Sequence, residues 1–273
     1  MRLLLRILIL LILLFASGTF GVVCAQQPLE AETARLPLAR SFEVQSTFEF
    51  QTSKNGTETA IPFATEYGIT DRIALMAEPV FYTSIRPEVG RRVNGVGDLE
   101  ATLSYLALNE RRRLPAFAIA GEVKVPTARN ILIGTRETDY TVYLIASKRI
   151  GKFDTHFNLG YTIVGKPAGS NLQNIVPFAI AEEYFLNHNW VLLGEILANT
   201  ASTTNGDTTT LGNLSGIVPE APAGELIGMV GFRRRIREHF FFTFGVNYDN
   251  NGAVLFRPGL TFDFNRSGRT RSR

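Results

Sequence analysis

The stretch Phe42-Glu43-Val44-Gln45-Ser46-Thr47-Phe48-Glu49-Phe50-Gln51 decides the fold. Phe42, Val44, Phe48 and Phe50 alternate with Glu43, Gln45, Thr47, Glu49 and Gln51. A period of two puts these sets on opposite faces of one strand, one face apolar and the other polar. Lys54-Asn55-Gly56 ends the strand with a hairpin signal, because Asn-Gly accepts the positive φ of a tight turn. Ile61, Phe63, Thr65 and Tyr67 then form one face of a second strand, which runs into Gly68-Ile69-Thr70-Asp71-Arg72.

The same rhythm continues to residue 264. A third strand is expected over 73–83, a fourth over 96–108 and a fifth over 116–125, where Phe117, Ile119, Val123 and Val125 oppose Glu122 and Lys124. Tyr140, Val142, Leu144 and Ala146 mark the sixth, and Phe153, Phe157, Leu159, Tyr161 and Ile163 the seventh. The eighth and ninth cover 175–186 and 190–198. Leu226, Val230 and Phe232 mark the tenth, Phe240, Phe242, Phe244, Val246 and Tyr248 the eleventh, and Val254, Phe256, Leu260, Phe262 and Phe264 the last. That makes about twelve strands of roughly 9–13 residues, the length a tilted membrane strand needs. No window of helical period competes with them.

The connections fall into two classes that alternate. Thr70-Asp71, Ile150-Gly151-Lys152, Asn187-His188-Asn189 and 235–239 are short, with 109–114 slightly longer. The other set holds 84–95, 127–138, 165–174 and the long, Thr/Asn/Gly-rich 199–222, with short members at Asn55-Gly56 and 249–252. Short periplasmic turns and longer outer loops produce this asymmetry. A backbone crossing hydrocarbon must satisfy its polar groups internally, so the sheet must close on itself. The expected fold is therefore all-β, a closed antiparallel transmembrane β-barrel of the outer-membrane type. An even strand count returns both ends to the periplasmic side. Tyr67, Phe81, Tyr82, Tyr140, Phe153, Tyr161, Tyr184, Trp190, Phe240 and Tyr248 stand at strand ends, where interfacial girdles form. Lipid and lipopolysaccharide are the expected surroundings.

Composition agrees. The chain has 273 residues, 45% hydrophobic and 19% charged, with 20 Phe and 24 Gly. A mean hydropathy of +0.06 is too low for a helical membrane bundle and suits strands that alternate lipid-facing and water-facing residues. Arg2 and Arg6 precede the apolar run 7–15, and Val23-Cys24-Ala25 offers a signal-peptidase site, so residues 1–25 read as a signal peptide cleaved near Ala25. Cleavage removes the single cysteine, and with it any disulfide or thiolate metal site. Removing Arg2 and Arg6 from 28 Lys and Arg leaves 26 against 25 Asp and Glu, so no electrostatic case for nucleic-acid binding remains.

Residues 26–39, with Pro28 and Pro37, show no strand pattern and read as a periplasmic leader or as a plug threaded into the lumen. The barrel is assigned to 40–264 and a basic periplasmic tail, carrying Arg266, Arg269, Arg271 and Arg273, to 265–273. The final strand ends on Phe264, the kind of terminal aromatic that outer-membrane assembly machinery reads.

Pro62-Phe63-Ala64-Thr65-Glu66-Tyr67-Gly68-Ile69-Thr70-Asp71-Arg72, Gly95-Val96-Gly97-Asp98-Leu99, Val123-Lys124-Val125-Pro126-Thr127, Ser147-Lys148 and Asn158-Leu159-Gly160-Tyr161 occur in that order. In them the chain resembles the outer-membrane barrels grouped as the MetA-pathway of phenol degradation family. The resemblance implies a transporter-like barrel with a link to uptake of aromatic compounds, and it carries over no catalytic or binding residues.

Strand parity assigns Glu43, Glu49, Glu66, Glu78, Glu100, Glu122, Glu195, Glu225 and Asp263 to the lumen, against Lys124, Arg233 and Arg257. These twelve are the candidates for solute or ion contact, with acids favouring cations. The same charges could instead pair across a narrow lumen and fill it. Glu182-Glu183 breaks the alternation and calls for a bulge or a place near the interface. His156, His188 and His239 read as solvated residues at or near turns, too separated for a metal cluster. No cofactor, metal or catalytic group is expected. The expected function is a channel or facilitator for passive uptake of small molecules, hydrophobic or aromatic ones by family implication. A structural or adhesive barrel and an outer-membrane lipid hydrolase, the latter needing a Ser beside a His, are the rival classes.

Overall fold

The computed structural model describes residues 27–202 and 224–264. The expected signal peptide, its cleavage near Ala25, most of the loop 199–222 and the basic tail 265–273 lie outside the described residues.

Strand runs follow one another with no helix among the described residues: β1 (Phe42–Thr47), β2 (Glu49–Ser53), β3 (Gly56–Thr70), β4 (Ile73–Pro87), β5 (Val93–Gly95), β6 (Leu99–Leu108), β7 (Ala116–Val125), β8 (Asp139–Ile150), β9 (Phe153–Ile163), β10 (Pro177–Phe185), β11 (Trp190–Asn199), β12 (Glu225–Arg237), β13 (Phe240–Asp249) and β14 (Val254–Phe264). β1 and β2 are two halves of one strand, interrupted at Phe48, whose amide donates to the Pro258 carbonyl at 2.9 Å. β5 and β6 are likewise halves of one strand, both paired to β4. The runs therefore make a barrel of twelve strands. Every neighbouring pair is antiparallel, and β1 closes the ring on β14 from Phe42↔Phe264 to Thr47↔Gly259. Closure leaves no open sheet edge, the condition hydrocarbon imposes.

β3 and β4 have 15 residues each, longer than the expected 9–13. The excess is a hairpin that runs on beyond the bilayer-length part of the wall, where Gly56 pairs with Pro87 and β5 adds three more rungs. Pro62, which has no N–H for the ladder, sits where the register shifts between β3 and β4.

Outward positions carry the apolar set. Leu75, Leu103, Ile119, Val142, Leu144, Leu159, Ile180, Leu192, Ile196, Val230 and Leu260 are all exposed, a continuous band that water would not tolerate and acyl chains would. At the end with the short turns, aromatic pairs ring the band: Phe153 against Tyr184 at 4.7 Å, Phe240 stacked on Phe262 at 4.5 Å and Phe42 near Phe264 at 6.1 Å. At the other, loop end, Phe81, Tyr140, Tyr161 and Tyr248 are exposed. The Glu182-Glu183 irregularity needs no bulge, since β10 keeps regular register with both neighbours. Glu183 points inward, and Glu182 faces outward three residues from the strand's end, where Thr155 donates to it at 2.6 Å.

The interior is not an open bore. Residues 27–39 lie inside it, and Leu29, Ala31, Ala34 and Leu36 are buried. They pack on inward patches made of small or aliphatic side chains. Leu29 meets Leu193, Ile227 and Met229, and Ala31 meets Ala179 and Ala181. Ala34 and Leu36 meet Ala74, Leu106, Ala116, Ala118, Ala120 and Ile145. Each buried leucine contributes on the order of 1.5–3 kcal/mol relative to exposure.

Candidate functional site

The leader makes no strand ladder within residues 27–39, so its backbone polar groups must find side chains. Glu195, at the middle of β11, supplies two carboxylate oxygens. They accept from the amides of Leu29 at 2.6 Å, Glu30 at 3.1 Å and Ala31 at 3.3 Å. Asn158 on β9 then grips Glu32 from both sides, accepting from its amide at 2.7 Å and donating to its carbonyl at 2.8 Å. The Ser147 hydroxyl accepts from the Ala34 amide at 2.9 Å. Arg233 donates to the carbonyls of Gln27 and Pro28, while its other nitrogen holds Glu183 at 2.9 Å. Arg257 bridges Glu30 of the leader and Glu49 of the wall.

Arg35 fastens the leader at the turn end. Its guanidinium meets both oxygens of Asp154 at 2.6 Å and Glu110 at 2.9 Å, and Glu110 also accepts from Lys148 at 2.9 Å. Burial would raise the Glu110 carboxyl, but hydrogen bonds from Lys148 and Arg35 outweigh it and hold it below its ordinary range. The segment leaves the barrel at Gly68. A Cβ there would stand 2.1 Å from the Leu38 carbonyl oxygen, so only glycine admits the crossing chain. Asp71 accepts from the Ala39 amide at 3.1 Å, and Arg40 takes a positive φ of 61° to turn into β1. The Gly68-Ile69-Thr70-Asp71-Arg72 motif thus has a local task, which is to pass the leader over the rim.

The leader fills the turn half of the lumen and leaves a cavity of about 350 Å³ above it. Nine carboxylate side chains line that cavity against two cationic ones, Lys124 and Arg257. The acids are not spread evenly. Glu49, Glu78, Glu100, Glu122 and Asp139 come from β2, β4, β6, β7 and β8. The wall of β10 to β14 presents Pro177, Leu197, Ile227 and Leu255, with Val164 and Ile175 beside it in the β9–β10 connection, and its charged members are Glu225 and Arg257.

All twelve parity-assigned residues lie on the inward face, in three groups. Glu195, Arg233 and Arg257 hold the leader. Glu43, Glu66 and Asp263 are brought side by side near the turn end, by the pairings Glu43↔Glu66 and Glu43↔Asp263. Glu49, Glu78, Glu100, Glu122, Lys124 and Glu225 line the cavity, where Lys124 pairs with Asp139 and Glu225 accepts from Asn199 at 3.4 Å.

Sequence reasoning missed Asp154, Ser147, Asn158 and Arg35, and it misread His156. That histidine is 1% exposed, deep in the lumen and not in a solvated turn, because its strand phase turns it inward beneath the leader. Its Nδ1 is hydrogen-bonded to Ser147 Oγ at 2.8 Å, and its Nε2 lies 4.0 Å from Asp154. This brings together a Ser, a His and an Asp. The hydroxyl, however, also takes the Ala34 amide, and Asp154 is occupied by Arg35, so the trio serves as the leader's socket. Asp154, His156 and Glu183 also place donor atoms within 4.8 Å of one another, but both carboxylates already hold guanidinium groups. His188 is a turn residue, bonded to Arg235 at 2.9 Å. The signal that could have revealed the socket is the inward row Ala116, Ala118, Ala120: small residues facing a lumen make room for something inside it.

No protein-family model matches the chain, and no curated protein matches it. Solved structures do. An outer-membrane channel from Pseudomonas putida F1 is similar with a TM-score of 0.62 at 14% identity, over 88% of this chain and 100% of that one. The NanC porin gives 0.57 at 9% identity, over 80% and 98%. The KdgM porin in complex with disordered oligogalacturonate gives 0.55 at 8% identity, over 82% and 99%. At such identities the likeness establishes the outer-membrane barrel fold, and solute identity has to come from the lumen itself.

Proposed function

We propose that the protein is an outer-membrane channel for passive uptake of small molecules, with its turns in the periplasm, and that its N-terminal segment is a removable plug. The observation that carries this reading is the way residues 27–39 are held. They are docked by side chains of the wall through hydrogen bonds, ion pairs and small apolar contacts, without becoming part of the sheet. A segment that merely completed the core would be expected to join the sheet, whereas a docked segment can leave while the closed ring of strands stays intact. The cavity above it supplies the rest of a path. Resemblance to the phenol-degradation family favours aromatic solutes, and the excess of carboxylates favours positive charge.

Planar-bilayer recordings test the proposal. The full mature chain should give small or rare conductance steps, and a variant lacking residues 27–36 should give steps several-fold larger, with cations preferred over chloride. If both proteins are silent while correctly folded, the channel reading fails.

A further inference from the structure

Several lumen acids meet bases at ion-pair distance. Glu30 and Glu49 share Arg257, Asp139 has Lys124, Asp154 has Arg35 and Glu183 has Arg233. Glu78, Glu100 and Glu122 on adjoining strands, with Glu32 of the leader facing them, form no salt bridge among the described residues. Glu78 is directly opposite Glu100 in the ladder, and Lys124, opposite Glu100 on the other side, forms its ion pair with Asp139. Glu32 takes one bond from Gln27, and Glu122 one from Thr102. The four charges repel one another across the cavity. Lys124 attracts Glu100 as well as Asp139, and the repulsion that remains makes this side of the cavity attractive to a further cation.

A second observation points the same way. Glu49, 2% exposed and lining the same cavity, spends one oxygen on Arg257 and has no partner for the other. Asn247, 4% exposed on β13 and also lining the cavity, has a carbonyl oxygen without a partner. These are acceptors without donors. A ligand that satisfied them would be a donor of hydrogen bonds as well as a positive charge.

The rest of the cavity limits the occupant's shape. Tyr143 stands beside the acids, its ring over Gly160, where a Cβ would come within 2.8 Å of ring carbons. An aromatic face next to carboxylates suits an ammonium group. Across the lumen Val164, Ile175, Pro177 and Leu197 offer an apolar surface. A bare metal ion would use only the acidic wall, and a neutral hydrocarbon only the apolar one. A cavity of about 350 Å³ is at the small end of ligand sites.

We propose that this cavity is a binding site for small organic amines, with the ammonium group among Glu32, Glu78, Glu100 and Glu122 and the apolar body against Pro177 and Leu197. The inference rests on the channel reading for its place in a transport path, and binding itself can be measured without transport.

Calorimetric titration of the full mature chain in detergent uses phenethylamine as the probe, with toluene, 3-phenylpropionate and ammonium chloride as comparators. Phenethylamine should bind at least about tenfold more tightly than any comparator. Glu100→Gln and Glu122→Gln, which keep side-chain size, should each weaken it about tenfold with the sheet content unchanged by circular dichroism. Equal binding of toluene overturns the role of the acids, and equal binding of ammonium overturns the role of the apolar wall. Absence of phenethylamine binding in a protein that still conducts sinks this site and leaves the channel standing. Tight binding in a protein that never conducts supports the site and removes the channel.

Discussion

Glu195 shows what one inward carboxylate does once its surroundings are known. It sits in the middle of a transmembrane strand, 4% exposed, and three successive leader amides converge on its two oxygens. Parity alone makes it a candidate for touching solute. In the folded chain it serves the leader as an N-cap serves a helix, accepting from amides that have no backbone partner. Glu195→Gln keeps the shape, removes the charge and turns an NH₂ group toward amide donors. Hydrogen bonds to charged groups are worth about 1.5–3 kcal/mol and neutral ones about half that, so leader docking should weaken by about 1–2 kcal/mol. If the protein is the channel proposed, the expected result is a roughly five- to thirtyfold rise in the fraction of time it conducts. Recordings of Glu195→Gln that match the unaltered protein would show that this contact does not hold the plug.

At the scale of an element, most of the leader's ion pairs gather at the rim. Arg35, Glu110, Lys148 and Asp154 form one network there. Glu110 lies in the connection between β6 and β7, and its carboxyl is held below the ordinary value of 4.5. A carboxyl depressed in the folded state stabilises the docked leader fully above its unfolded value and loses that contribution as pH falls through the lower folded value. Conductance of the full-length protein should therefore rise as pH is lowered from about 5 to about 3, and this step should shrink in Glu110→Gln. A step of unchanged size in that variant would assign the pH response to other carboxylates. The sequence left a plug as one of two readings of 26–39, but none of the contacts that hold it was legible, for a physical reason. The twelve strands announce themselves through a period of two that each segment carries locally, and the same parity separates the charged residues from the apolar set. The leader has no period, because what buries it is a set of partners far away along the chain, Glu195 standing 166 residues from Leu29. His156 was misread on the same account: closeness to a turn suggested water, but its strand phase and a distant segment decided its burial.

For the whole molecule, the closed ring and its outer band are what every interior feature depends on. The aromatic girdles and the exposed aliphatic band between them imply hydrocarbon over the middle of each strand and polar headgroups at the ends. One strand can test this with a single chemical change at two depths. Leu144 is 55% exposed near the middle of β8, and Ile150 is 69% exposed at that strand's last position, where it pairs with Phe153 of the turn-end girdle. Both face outward, so exposure alone predicts that arginine is tolerated at either. The bilayer predicts a difference. Arginine at the midplane of a barrel costs about 2–4 kcal/mol, and near the interface about 0–1 kcal/mol, because there the guanidinium reaches headgroups and water. Leu144→Arg should therefore lower stability by about 2–4 kcal/mol in urea unfolding from lipid vesicles, and Ile150→Arg by less than about 1. In detergent, where the apolar layer is thinner and adapts to the protein, the gap should narrow. Equal costs at the two positions in vesicles would mean that the middle of β8 does not face acyl chains, and the barrel would then have to be placed differently in the membrane.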